Sequence, residues 1–271
     1  MPVGHVAALP MYDFPYVAQA HEALWQAIRS HLAMAGVGDL PDQLSRHQDA
    51  TATWCDPRLL LGQACEYPLL ETFGPFVRIV ATPCYSAPGC EGRLYRSAIV
   101  VRASDPTEGL AGLRQRRCAV NSPDSNSGMN LLRAALAPYA RGAPFFSSVV
   151  PSGSHHDSAR LVADGVTDVA AIDCVSYAHL RRCDPVLVDR LRILDWTPAA
   201  GSLPYVTSSH TGDATLRALR GALVAVTQDP ALRPIRDALF LADIDVGPDL
   251  ELSLTHALQR RAAELGYPRL V

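Results

Sequence analysis

The sequence predicts an α/β protein, and two observations carry that expectation. Apolar, partly β-branched runs that read as strands alternate with longer stretches of helical periodicity, which argues mainly parallel sheets with flanking helices. Hydrophobic residues make up 48% of the chain and charged residues 19%, enough for a sizeable core and too apolar a balance for disorder. The 271 residues suit one large domain or two lobes of ordinary size. No internal repeat or low-complexity tract interrupts the alternation.

In chain order, residues 5–11 are expected to hold the first strand, leaving Tyr12 and Asp13 at its carboxyl end. Pro15 can open the next helix, on which Leu24, Ile28, Leu32 and Ala35 recur at helical spacing until Gly36 stops it. Leu59-Leu60-Leu61 reads by propensity as a helix, with Asp56 as its cap and Pro57 at its first position. Residues 76–81 and 97–102 read as strands, and 104–109 (SDPTEG) has the composition of a linker. A strand at 118–120 then leads through a polar loop to a helix at 129–136. Further strands are expected at 145–150, 169–172 (ending in Asp173), 192–194 and 204–207. Helices are expected within 152–165, at 175–180, at 216–226, at 235–241 and at 250–265.

The bulk numbers narrow the function. A net charge of −3 with scattered Lys and Arg leaves no footprint for a polyanion, so nucleic acid is excluded as a partner. No apolar run reaches the roughly 20 residues that a bilayer crossing takes. The N-terminus, MPVGHVAALPMYDFP, has neither a charged n-region nor an adequate apolar h-region, so it does not read as a signal peptide. As written the chain is expected to be cytoplasmic, or periplasmic if a signal has been removed. Seven cysteines leave at least one thiol unpaired. Cys84 and Cys90 bracket the turn-rich loop PCYSAPGC and are the pair suited to a short-loop disulfide in an oxidising compartment; two reduced thiols is the alternative. Cys65 and Cys174 lack an adjacent base and read as structural. No ligand spacing suggests a metal, and no fingerprint suggests a cofactor.

The most informative stretch is residues 120–133, VNSPDSNSGMNLLR. Ser125 and Ser127 are preferred helix N-cap types, and Gly128 permits close approach of another group. A helix start carrying hydroxyls and unbonded N–H groups favours an anion, because the helix dipole places about half a positive charge there. The turn DSNSG resembles the S-[ST]-S-G anion-binding turn of the phosphonate-binding proteins of ABC importers. LYRSAIVV before it and SGSHHDSARLVADGVTDVAAID after it fall in that family's order, and the resemblance runs through most of the chain.

The resemblance implies a two-lobed type II periplasmic-binding-protein fold with a two-segment hinge. Lobe one would comprise 1–101 plus 197–271, and lobe two 102–196 with the serine turn. It turns Leu59–Leu61 into a buried strand carrying Gln63 into the cleft. The ligand set it implies is Tyr12, Gln63, Tyr95, Ser125, Asn126, Ser127, Gly128, His155 and Asp173, with no catalytic or metal-binding residue. Asn126 stands where the family has a hydroxyl residue. His155 would begin a second helix and, if protonated, add a charge-assisted bond to the anion. Asp173 either faces a donor group of the ligand or simply caps the helix that follows. The function implied is capture of a small oxyanion, a phosphonate or related phosphorus oxyanion, in an interlobe cleft for an importer permease or a sensor. The alternative is an enzyme on the same fold, like the menaquinone-pathway dehydratases or thiamine-pyrimidine synthases.

Overall fold

The computed structural model describes residues 4–46, 49–140, 142–247 and 252–271. Strand β1 (Val6–Ala8) stops short of Pro10, which has no N–H to give a ladder. Helix α1 (Ala18–Met34) follows a turn opened by Pro15 and buries His21, Leu24, Trp25, Ile28 and Leu32; Gly36, at φ +80°, terminates it. Helix α2 (Ala50–Cys55) was not expected; the Asp49 side chain caps it by accepting from Ala52 N. Asp56 starts no helix. Its carboxylate instead binds the Arg58 backbone and guanidinium, and β2 (Leu59–Gln63) follows as a fully buried strand.

β3 (Val77–Tyr85), β4 (Leu94–Tyr95), β5 (Ser97–Arg102) and β6 (Arg117–Val120) come next. A π-turn at Asn126–Asn130 leads into α3 (Leu131–Ala140). β7 is confined to Ser148–Pro151, because the buried Phe145 and Phe146 give their N–H groups to the Val271 carbonyl and not to a ladder. α4 (His155–Ala163), β8 (Val169–Asp173), α5 (Cys174–Cys183), β9 (Leu191–Trp196), β10 (Ala200–Gly201), β11 (Tyr205–Ser208) and α6 (Asp213–Gln228) follow. The helix expected at 235–241 is α7 (Arg233–Ala238), and it ends before Phe240, at φ +54°. Leu241–Asp245 then forms β12, an acid-rich strand of low intrinsic propensity that pairs with β3. The last helix, α8, spans Leu252–Glu264; its expected start at Leu250 lies outside the described residues.

The chain divides into two compact units. The first holds residues 1–86, 91–93 and 201–250, around a sheet of order β1-β2-β11-β3-β12. Trp54, Leu59, Leu69, Val77 and Val206 lie in its core. The second holds 87–90, 94–200 and 251–271, around a sheet of order β7-β6-β8-β5-β9. Its core includes Val100, Ala119, Val162, Ile172 and Leu180.

The sheets are mixed where mainly parallel pairing was expected. β6 runs parallel to β7 and β8, and β1 to β2; these strands are linked through helices, as parallel neighbours require. Strands at which the chain passes from one unit to the other, such as β5, β9 and β11, run antiparallel to their neighbours.

The boundaries also differ from the expected 1–101 plus 197–271 against 102–196. Residues 94–101 belong to the second unit because β5 is an interior strand of its sheet, bonded between β8 and β9. The C-terminal segment belongs there too. α8 packs on α3, Asn126 Nδ2 donates to Thr255 Oγ1 at 3.3 Å, and Arg133 donates to the Pro268 carbonyl at 2.6 Å.

Cys84 and Cys90 are both thiols and not joined, so the expected Cys84–Cys90 pairing is not made. Cys90 instead meets Cys174, with their Sγ atoms 3.3 Å apart. Among the described residues no helix is long and apolar enough to cross a membrane.

Candidate functional site

Most of the expected ligand groups belong to the second unit, at one edge of its sheet. β6, β7 and β8 are parallel, so their carboxyl ends share that edge, the place where open α/β sheets bind ligands. The connection after β6 leads to the serine turn, that after β7 to α4, and that after β8 directly into α5. Three helix starts therefore meet the same edge. The leading N–H groups of each have no carbonyl one turn back to bond.

The serine turn is built locally. Ser125 is its N-cap, with Oγ accepting from Gly128 N at 3.0 Å. The Asn130 N–H reaches the Ser125 carbonyl at 3.0 Å, five residues back, which makes this first turn a π-turn. Gly128 is required by packing: a Cβ there would sit 1.9 Å from Asn121 Oδ1. The Ser127 carbonyl accepts from Ser97 Oγ at 3.0 Å, fixing the turn against β5.

Ser127 Oγ is the centre of the site. It lies 2.9 Å from His155 Nε2 and 3.3 Å from Ser125 Oγ, so two hydroxyls and an imidazole converge. His155 is the first residue of α4, whose N-cap Ser154 accepts from Asp157 N at 3.0 Å. Burial of the ring pushes the His155 pKa down to about 4, against a smaller opposing pull from the Ala171 backbone. The imidazole, whose charge the sequence left open, is therefore neutral at ordinary pH. One ring nitrogen carries a proton and the other a lone pair, so Nε2 can give or take a hydrogen bond with Ser127.

Asn126 does something other than expected. It is fully buried, with Nδ2 donating to Tyr95 OH at 3.2 Å and to Thr255 Oγ1, while Oδ1 accepts from Asn130 Nδ2 at 2.8 Å. Asn130 in turn accepts from Arg133 at 2.5 Å, which closes a polar ladder inside the unit. The residue in the place of the family's hydroxyl thus holds the turn from behind. Tyr95 belongs to this ladder and to the second unit, not to the first as expected. Asp173 is buried and caps α5, accepting from Val175 N at 2.8 Å and Ser176 N at 2.9 Å.

Tyr12 and Gln63 belong to the first unit. They line a small cavity there with His21, Tyr85 and Tyr205. Gln63 Nε2 is spent inside it, donating to Tyr85 OH at 2.9 Å and to the Leu203 carbonyl at 3.2 Å. Tyr12 packs edge-on against Tyr85, ring centroids 5.3 Å apart.

Sequence reasoning missed Ser97, Asn121, Asn130 and Thr255. Asn130, four residues after Asn126, was detectable as a helical i,i+4 amide pair. Thr255 was not, since 129 residues separate it from Asn126. Ser127 and His155 have the spacing of a Ser–His pair, but among the described residues no carboxylate is bonded to the buried His155 Nδ1. Among the described residues no group of three or more His, Cys, Asp or Glu side chains could hold a metal ion.

A family model described as an ABC transporter, phosphonate, periplasmic substrate-binding protein matches residues 73–245. Solved structures resemble the chain over nearly its whole length. A Xanthomonas citri protein bound to chloride ion is 18% identical with a TM-score of 0.73, covering 97% of this chain and 98% of that one. PhnD1 of Prochlorococcus marinus, in complex with methylphosphonate, is 16% identical with a TM-score of 0.71, covering 96% and 98%. A binding-protein component of an ABC phosphonate transporter from Pseudomonas aeruginosa is 14% identical with a TM-score of 0.69, covering 97% of each chain. At these identities the likeness is one of fold. No curated protein matches the sequence.

Proposed function

The chain belongs to the phosphonate substrate-binding proteins of ABC transporters, and from that premise we propose that it captures a phosphonate or a closely related phosphorus oxyanion at the serine turn. A small-ligand binding role is common to the family; the ligand and the residues that hold it are our reading. The observation that carries it is the convergence of Ser125 Oγ, Ser127 Oγ and His155 Nε2 at the starts of two helices. Hydroxyl and N–H donors at positive helix ends suit a tetrahedral oxyanion. A bound phosphonate oxygen would accept from Ser127 Oγ, from the turn's backbone N–H groups and from His155 Nε2 in the tautomer that carries its proton there. The buried Asp173 carboxylate keeps its helix-capping bonds and orients the start of α5.

The role is binding without chemistry. Ser127 has a base beside it, but among the described residues no carboxylate is bonded to that base. A protein of this kind hands its ligand to an importer permease, with a sensor as the other candidate recipient.

The test is a thermal-shift screen over methylphosphonate, aminoalkyl phosphonates, phosphite, phosphate and sulfonates. A ligand that binds only the folded chain raises its stability by RT ln(1 + [L]/Kd), about 2.7 kcal/mol at a hundredfold excess over Kd. A phosphonate should give the largest shift and be recovered unchanged after incubation. Recovery of a hydrolysed product, or equal silence across the panel, would contradict the reading.

A further inference from the structure

The thiol pair Cys90–Cys174 lies outside the oxyanion reading and is not the pair that loop spacing suggested. Their Sγ atoms are 3.3 Å apart although 84 residues separate them in the chain. Cys174 is buried and opens α5 directly after Asp173, while Cys90 is half-buried and reachable from solvent. Packing brings the two strands of chain together. Gly89 has φ +100°, and a Cβ there would lie 2.7 Å from the Trp196 ring and 3.0 Å from Cys174 Cβ. Only glycine lets the 87–90 segment approach this closely.

We propose that Cys90 and Cys174 form a reversible disulfide that fastens the 87–90 segment to the first turn of α5. That segment belongs to the second unit, whereas the residues before and after it belong to the first. The bond would therefore tie a passage of chain between units to the sheet edge that carries the serine turn.

The chemistry is exchange with a disulfide oxidant such as oxidised glutathione. Cys90, the accessible member, attacks as thiolate on one glutathione sulfur and releases the first reduced glutathione, leaving a mixed disulfide. Cys174 then attacks Cys90 Sγ and loses its proton, and the second glutathione leaves as a thiol. Two protein thiols give up two electrons, and one oxidant disulfide becomes two thiols. The neighbouring Cys90 thiol and burial both push the Cys174 pKa up, so Cys174 is slow to attack the oxidant itself; what makes it the second thiol is its Sγ 3.3 Å from Cys90 Sγ. Burial, with Asp243 and Asp245 nearby, likewise pushes the Cys84 thiol up to about 11, and the contact that Cys90 makes is with Cys174.

The test uses the full chain incubated with oxidised glutathione, quenched in acid, unfolded, alkylated and mapped by peptide mass spectrometry. The expected result is a Cys90–Cys174 linked peptide, with both alkylation labels lost at completion and restored by dithiothreitol. The thermal midpoint should rise by several degrees on oxidation, because the bond closes a long loop. Cys84→Ser should leave the linked peptide unchanged, and Cys174→Ser should stop the reaction at glutathionylated Cys90. Should Cys174→Ser not fold, the parent's time course serves, with glutathionylated Cys90 preceding the linked peptide. The proposal is overturned if both cysteines keep their labels, if Cys90 stays glutathionylated in the parent, or if Cys84 is found in the link.

Discussion

The polar clusters of the two units use similar residue types to different ends. In the first unit Gln63 Nε2 donates to Tyr85 OH and to the Leu203 carbonyl beside a small cavity. In the second, Ser127 and His155 face each other at the starts of two helices, backed by a separate ladder through Asn126. The first arrangement satisfies its own groups. The second leaves N–H groups of helix first turns without intrahelical partners, and that is what an anion needs. Burial and polarity alone would rank the clusters alike; helix direction separates them.

The sharpest way to break this contrast is to remove both partners of the central contact. Ser127→Ala combined with His155→Ala should weaken methylphosphonate binding by about a hundredfold, on the order of 2.7 kcal/mol, by calorimetric titration at neutral pH. The fold should survive, since neither residue belongs to the Asn126 ladder. Asn126→Ala should act in the opposite sense, costing about 2 kcal/mol of stability in urea by stranding the partners it satisfies. Its effect on affinity should follow only from loosening of the turn.

The pH dependence of stability sharpens the comparison further. The folded His155 pKa, about 4, lies below its ordinary value of 6.5. Between those values the unfolded chain binds a proton that the folded chain refuses. Stability is therefore retained above about pH 6.5 and lost as pH falls towards 4. His155→Gln should flatten that window by at most about 1.4 kcal/mol per pH unit, measured by urea unfolding from pH 7 to pH 4. A second, lower window belongs to Asp168, held down to about 2 chiefly by its bonds to Arg117; its contribution is lost as pH falls below the ordinary carboxylate value of 3.8. The smallest effect is expected in the first unit. Gln63→Ala should cost about 1 kcal/mol of stability and change affinity less than tenfold.

The sequence made the second sheet and its turn legible because each strand there is a short apolar run followed at once by capping chemistry. Cys118–Val120 before the Ser125 turn and Val169–Ile172 before Asp173 are examples. β12 was hidden because Asp243 and Asp245 dilute its pattern, and its place comes from pairing with β3. The unit boundary was misplaced because SDPTEG reads as a linker yet follows β5, an interior strand of the second unit's sheet. The identity of the C-terminal helix's partner is set by long-range packing that periodicity does not encode. His155 was found as a residue with its charge left open, since its charge state depends on burial.

The central claim is that the oxyanion is held by the serine turn and the start of α4. It is tested most directly by following backbone amide and histidine side-chain resonances as methylphosphonate is titrated into the full chain. The account predicts that the largest shifts fall on the amides of Asn126, Ser127, His155 and His156 and on the His155 ring. Shifts concentrated instead on Tyr12, Gln63 and Tyr85, with the serine turn unmoved, would contradict it.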